Sequence, residues 1–140
     1  MYEKAVWSIL YATLGTRPDI TYAMTVLGWY AAQPSILHRE AIKHLLHSLH
    51  DTSEYKLTIH DPRLQHDSKS LVCYTDADLE GEAASSKSTS GIIIVALEIL
   101  VLWRSMKQTL VAQSTMQAEV ISTAYGKVQL DRVWDVISEI

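Results

Sequence analysis

The spacing of apolar residues changes character partway along the chain, and that change limits the folds open to it. Up to about residue 50 the apolar positions recur every three or four residues, the mark of helices packed on one side. From residue 71 they come in short alternating or continuous runs rich in Val and Ile, which suit strands. After Ser114 the helical period returns and reaches the end. An α/β chain with a helical first half and a β-β-β-α second half is therefore expected.

Within the first half, Ala5, Val6, Ile9, Leu10 and Thr13 mark a helix over residues 2–14, with Gly15 as its stop. Thr16 is placed to cap a second helix, and Pro18 suits its first turn. Ile20, Ala23, Met24, Leu27 and Tyr30 share one side of it, up to about residue 32, where Pro34-Ser35 breaks the pattern. A third helix over residues 36–50 carries Ala41, Ile42, Leu45, Leu46 and Leu49 as its stripe. Residues 54–60 alternate and read as a short strand, and residues 60–69 as a polar linker. The domain boundary falls in that linker, giving segments 1–66 and 67–140.

In the second segment, residues 71–78 read as a strand and residues 80–91 as a small, polar loop. Residues 91–97 and 99–105 form a hairpin whose turn has no Gly, Asn or Asp, and residues 107–113 continue the strand or add another. The last helix starts at Ser114, with Met116, Val120, Ala124, Val128, Val133, Val136 and Ile137 at its period.

Composition narrows the class. The 140 residues are 48% hydrophobic and 20% charged, which argues against global disorder. No run of 18 apolar residues is present, so no membrane partner is expected. The N-terminus lacks the small-residue cleavage site of a signal peptide, and Cys73 is the sole cysteine. Together these point to a reducing, intracellular setting. The net charge is −4, and the excess acid lies in residues 67–140. A domain that grips nucleic acid mainly by neutralising phosphates shows the opposite balance.

Four features bear on chemistry. Asp76 and Asp78 lie at the end of the first strand and share a face, about 6–7 Å apart along it. Two carboxylates there suit a divalent cation, although aspartates are common at strand ends in any case. Glu119 follows the Ser114-Thr115 cap by about one turn, where the helix dipole alone favours an acid. His44, His47 and His50 recur every three residues, but they spread over a third of the helix and read as a polar face rather than a zinc site. Cys73 sits mid-strand among apolar neighbours and reads as a small buried residue.

Taken together, the motifs resemble one family. Tyr11-Ala12-Thr13-Leu14-Gly15-Thr16-Arg17-Pro18-Asp19-Ile20, then Gln33-Pro34, His38, Glu40-Ala41-Ile42-Lys43 and Asp51-Thr52-Ser53, are similar to the segment after the polymerase core in the Pol polyprotein of copia-type LTR retrotransposons. Tyr74-Thr75-Asp76-Ala77-Asp78, Lys87-Ser88-Thr89-Ser90-Gly91, Trp103-Arg104-Ser105-Met106-Lys107-Gln108 and Ser114-Thr115-Met116-Gln117-Ala118-Glu119 resemble its ribonuclease H segments in the same order. The resemblance covers nearly the whole chain.

The resemblance implies a ribonuclease H-like α/β fold and Mg²⁺-dependent hydrolysis of the RNA strand of RNA–DNA hybrids. It makes Asp76 and Glu119 the catalytic, metal-holding carboxylates, with Asp78 as a further metal ligand. It puts Lys87, Ser88, Thr89, Trp103, Lys107 and Gln108 in matching family segments, and implies a role on the hybrid backbone for Lys87, Ser88, Thr89, Lys107 and Gln108. A hybrid and the remainder of a Pol polyprotein are the partners it implies. The setting is cytoplasmic, within a virus-like particle, or nuclear.

The sequence departs from the family in one respect that matters for turnover. The family's third and fourth carboxylates follow the long helix, whereas this sequence reaches Ile140 within it. Asp131 and Asp135 lie about 18 and 24 Å beyond Glu119 along a helix, too far to reach the same ion. Two ions about 4 Å apart need several carboxylates between them, so a truncated, inactive or nearly inactive unit with weak Mg²⁺ binding is expected. A first strand left at the sheet edge invites self-association. The rival expectation is a domesticated or decayed remnant that works as a protein-interaction module without catalysis.

Overall fold

In a computed structural model, residues 2–58, 71–82 and 86–139 are described. They divide into two units, Met1–Leu57 and Thr58–Ile140. The boundary expected between residues 66 and 67 lies outside the described residues.

The first unit is helical. Helix α1 (Tyr2–Gly15) buries Tyr2, Val6, Ile9 and Thr13, close to the stripe its spacing implies. A 3₁₀ turn (Pro18–Ile20) follows and leads into α2 (Thr21–Trp29). The sequence anticipates one helix capped by Thr16 and running to residue 32. Instead Arg17 occupies the cap position without a side-chain cap bond, and α2 ends three residues early. Helix α3 (Ile36–Asp51) is capped reciprocally: the Ser35 hydroxyl accepts from the His38 amide, and His38 Nδ1 accepts from the Ser35 amide. Its buried stripe is narrower than expected. Ile42 and Leu45 are buried, while Ala41 and Leu46 are exposed. The core is Tyr2, Val6, Ile9, Ile20, Met24, Leu27, Ile42 and Leu45, with the Tyr2 hydroxyl donating to the Leu27 carbonyl at 2.9 Å.

Arg17 holds the non-helical corner of this unit. Its guanidinium forks onto Asp19, with Nε to Oδ1 at 2.9 Å and Nη2 to Oδ2 at 2.7 Å. Nη2 also donates to Thr52 Oγ1 at 2.7 Å, just past the end of α3. Two parallel bonds fix a planar donor to a planar acceptor, so the corner is set by geometry as well as by charge. Residues 55–58 beyond α3 form no strand, and the rest of the strand expected over 54–60 lies outside the described residues.

The second unit is mixed. Strands β1 (Leu71–Glu82), β2 (Lys87–Ala96) and β3 (Ile99–Lys107) make an antiparallel sheet in the order β1-β2-β3, and α4 (Thr115–Ser138) packs on β1 and β2. Both β1 and β2 take up residues read as loop, and residues 108–113 add no strand. The hairpin pairs Ala96 with Ile99 around Leu97 and Glu98, whose φ values are 51° and 65°. The mirror-image two-residue turn needs positive φ at both positions, and here two residues ill-suited to it adopt it.

The face α4 buries differs from its apolar stripe. Ala118, Ser122 and Gly126, at intervals of four, are its buried residues. Met116 and Val120 are 73% and 63% exposed, and Val128 and Val136 are also exposed. Packing distance decides this. A Cβ on Gly126 would run into the Thr75 methyl group and stand 3.1 Å from Cys73 Sγ. Only small residues let the helix approach β1 so closely.

Candidate metal and nucleic-acid site

Strand alternation sets the direction of each β1 side chain. Cys73 and Thr75 face α4, where Thr75 Oγ1 lies 3.3 Å from Thr123 Oγ1. Asp76 and Asp78 alternate with them, are exposed, and project from the opposite face of the sheet. Asp76 pairs in register with Gly91 and Asp78 with Thr89. No side-chain carbon stands over Gly91, so the sheet surface beside Asp76 is open.

Glu119 is half-buried on the second turn of α4, whose N-terminus is capped by the Ser114 hydroxyl accepting from the Gln117 amide at 3.2 Å. Three residues on, the Ser122 hydroxyl donates to the Asp76 carbonyl at 2.7 Å. The Asp76 backbone and the α4 turn that bears Glu119 thus meet in one seam. The Asp76 side chain leaves β1 on the face away from α4, and β1 has a sheet neighbour on one side only among the described residues.

The residues expected at the nucleic acid separate into two groups. Lys87 and Lys107 are half-exposed at the ends of β2 and β3. Ser88, Thr89 and Gln108 are interior: Ser88 is 0% exposed and Gln108 1%. Gln108 Nε2 donates to Ser90 Oγ and to the Ala118 carbonyl, both at 2.9 Å, and its backbone amide donates to the Ser88 carbonyl at 2.8 Å. Buried this way, the three side chains offer nothing to a ligand at the surface; Gln108 bridges the sheet and α4, while Ser88 Oγ and Thr89 Oγ1 have no hydrogen-bond partner among the described residues. Trp103 is half-buried, paired with Ile93 across the sheet.

Sequence reasoning missed Ser122 and Ser90. A serine inside a helix or a strand carries no signal of its own, and only the pairing of α4 with the sheet gives these hydroxyls partners. His44, His47 and His50 are all exposed. Cys73 is half-buried, and burial pushes its thiol above the usual range.

The candidate donors, Asp76, Asp78 and Glu119, offer carboxylate oxygens, which suit a hard cation such as Mg²⁺. Among the described residues, no three His, Cys, Asp or Glu side chains gather closely enough to hold a metal ion. By donor chemistry alone, one or two carboxylates suit a single hydrated ion and fall short of a two-ion centre. Among the described residues, no helix is long and apolar enough to cross a membrane.

The class that fold and seam define is a mixed α/β unit preceded by a helical one, and comparison with known proteins gives it a family. The chain is 35% identical over 133 residues to a Plasmopara viticola protein named secreted RxLR effector protein 161, a match that takes in 95% of this chain and 89% of that one. It is 35% identical over 136 residues to the retrovirus-related Pol polyprotein from transposon TNT 1-94 of Nicotiana tabacum. It is 30% identical over 139 residues to the retrovirus-related Pol polyprotein from transposon RE2 of Arabidopsis thaliana. These matches take in 95% and 99% of this chain but 10% and 9% of the polyproteins, so the chain spans about a tenth of their length. No family model and no solved structure matches the chain. The chain belongs to the same family as the P. viticola protein, and it is related to a segment of retrotransposon Pol polyproteins.

Proposed function

We propose that the second unit is the leading part of a ribonuclease H-type domain from a copia-type Pol polyprotein. The first unit is then the connection that joins such a domain to its polymerase. The inherited reaction is Mg²⁺-dependent hydrolysis of the RNA strand of an RNA–DNA hybrid. The observation that carries this reading is the α4–β1 seam, where Ser122 joins the helix that bears Glu119 to the carbonyl of Asp76.

In this reading Asp76 and Glu119 hold a cation at the outer edge of β1, a place open to one carboxylate from each side of the strand. Asp78 adds an oxygen on the Asp76 side, and Lys87 and Lys107 supply positive charge toward the hybrid backbone. The cation, when bound, supplies an activated water and charge neutralisation at the phosphate. Two carboxylates give too little negative charge for two ions, so the 140-residue chain alone turns over slowly or not at all.

Two measurements test the proposal. In a hybrid-binding titration, the chain is expected to prefer an RNA–DNA hybrid to a DNA duplex of the same sequence; equal affinity would sink the reading. In a cleavage assay with Mg²⁺, no turnover above background is expected. Cleavage that disappears in Asp76→Asn would overturn the inactivity and keep the site.

A second reading rests on the P. viticola relative, which has nearly the same extent as this chain and is named an effector. In it the chain is a protein-interaction module without catalysis. Concentration-dependent sedimentation combined with an absence of hybrid binding would favour it over the first.

A further inference from the structure

The two candidate carboxylates are each mounted on a peptide group that a buried side chain from another element holds. Asp76 offers its own carbonyl to the Ser122 hydroxyl at 2.7 Å. Glu119 contributes its N–H to the peptide whose carbonyl, that of Ala118, accepts from Gln108 Nε2 at 2.9 Å. Ser122 is 0% exposed and Gln108 1%, so neither meets a ligand directly. Gln108 is itself fixed on β2, through Ser90 Oγ and the Ser88 carbonyl.

We infer that Gln108 and Ser122 are positioning residues, which set the Glu119 and Asp76 backbones for one shared cation; this rests on the cation reading above. The physical ground is the length of the lever. An Asp carboxylate reaches an ion through two rotatable bonds and a Glu through three, so where each Cα is held bounds that reach. Ala118 already has a helical partner available for its carbonyl, and Gln108 adds a second donor from outside the helix. That extra donor couples the first turns of α4 to the end of β3 and to β2. Gln108 Oε1 has no hydrogen-bond partner among the described residues. The amide is therefore held by its nitrogen alone, on the side that faces Ala118 and Ser90. Buried bonds of this kind are stiff because neither partner has water to turn to.

The test is a Mn²⁺ titration of the ¹⁵N-labelled full chain, followed by paramagnetic broadening of the backbone amide signals, with Mg²⁺ as competitor. In the unmodified chain the Asp76 and Glu119 amides are expected to broaden together, with one midpoint. Ser122→Ala and Gln108→Met, each shown by its thermal transition to be fully folded at the titration temperature, are expected to raise the Mn²⁺ midpoint about tenfold. A loss of stability that leaves the chain fully folded would not move the midpoint. Should Gln108→Met fail to fold, Ser122→Ala, which removes one buried oxygen, carries the comparison. Unchanged, shared midpoints in the folded variants would overturn the inference and leave the cation reading standing. No paired broadening in the unmodified chain would overturn both.

Discussion

Gly126 of α4 lies directly over Thr75 of β1, with no room for a side-chain carbon between them: a Cβ placed there would overlap the Thr75 methyl group. The contact sets how near the helix comes to the strand. The Thr75–Thr123 and Ser122–Asp76 bonds both form across the gap it leaves.

That contact reverses the usual effect of a helical glycine. Alanine in place of an interior glycine ordinarily stabilises a helix by about 1 kcal/mol. Here Gly126→Ala is expected to destabilise the chain by about 1–3 kcal/mol, because the added carbon overpacks a closed contact. Urea denaturation measures it. Thr75→Ser, which removes the opposing methyl and keeps the hydroxyl, is expected to recover part of the loss, and a double-mutant cycle would show the coupling. A stabilised Gly126→Ala variant would show that the helix is not seated as described.

The β2–β3 turn carries strain that can be relieved. Leu97 and Glu98 both have positive φ, which costs a residue with a Cβ about 1–2 kcal/mol. Leu97 is exposed, so replacing it removes no core contact. Leu97→Asn is expected to raise stability by about 0.5–1 kcal/mol, since Asn tolerates the left-handed region. A thermal transition that does not rise would exclude this account of the turn.

Acid should weaken the first unit through Asp19. Its hydrogen bond from Arg17 holds the carboxyl below the usual range, and burial opposes this only in part. A carboxyl with a lowered folded value stabilises fully above its unfolded value and loses that contribution as pH falls through the folded one. Stability is therefore expected to drop on acidification below the ordinary carboxylate range, and to drop less in Asp19→Asn. The Asp19 side chain is 49% exposed, so solvent screening keeps the effect at about 1 kcal/mol or less. Identical acid limbs in the two proteins would remove Asp19 from the account.

Cys73 should react slowly. Its thiol is raised by burial, so little thiolate is present at neutral pH, and the sulfur lies under α4 beside Gly126. Modification by a disulfide reagent is expected to be far slower in the native chain than in denaturant. Native and denatured rates that agree would mean that α4 does not cover this part of β1.

Much of the architecture was legible because it follows from periodicity. The stripe of α1, the centres of the three β runs and the start of α4 lie where the sequence pattern puts them, although β1 and β2 extend into the residues read as loop. The packed face of α4 did not, and the reason is specific. Hydropathy ranks Met116, Val120 and Val128 above Ala118, Ser122 and Gly126, whereas close approach to a strand selects for size. The site divided in the same way. Asp76 and Glu119 were placed on the correct elements by pattern, and the structure sets those elements side by side. Family resemblance puts Ser88, Thr89 and Gln108 at the hybrid, whereas the fold buries all three side chains, which no local pattern announces. The Leu97-Glu98 turn lacked turn chemistry altogether, so only the flanking strands announced it.

Because β1 has a sheet neighbour on one side only among the described residues, its backbone leads a divided life. Amides directed at β2 are locked in the ladder, while those directed outward meet solvent or whatever strand is offered. In deuterated water, neighbouring positions along this single strand would therefore lose their protons on two separate clocks. The slower clock would report on the sheet, and the faster one on how accessible its border remains.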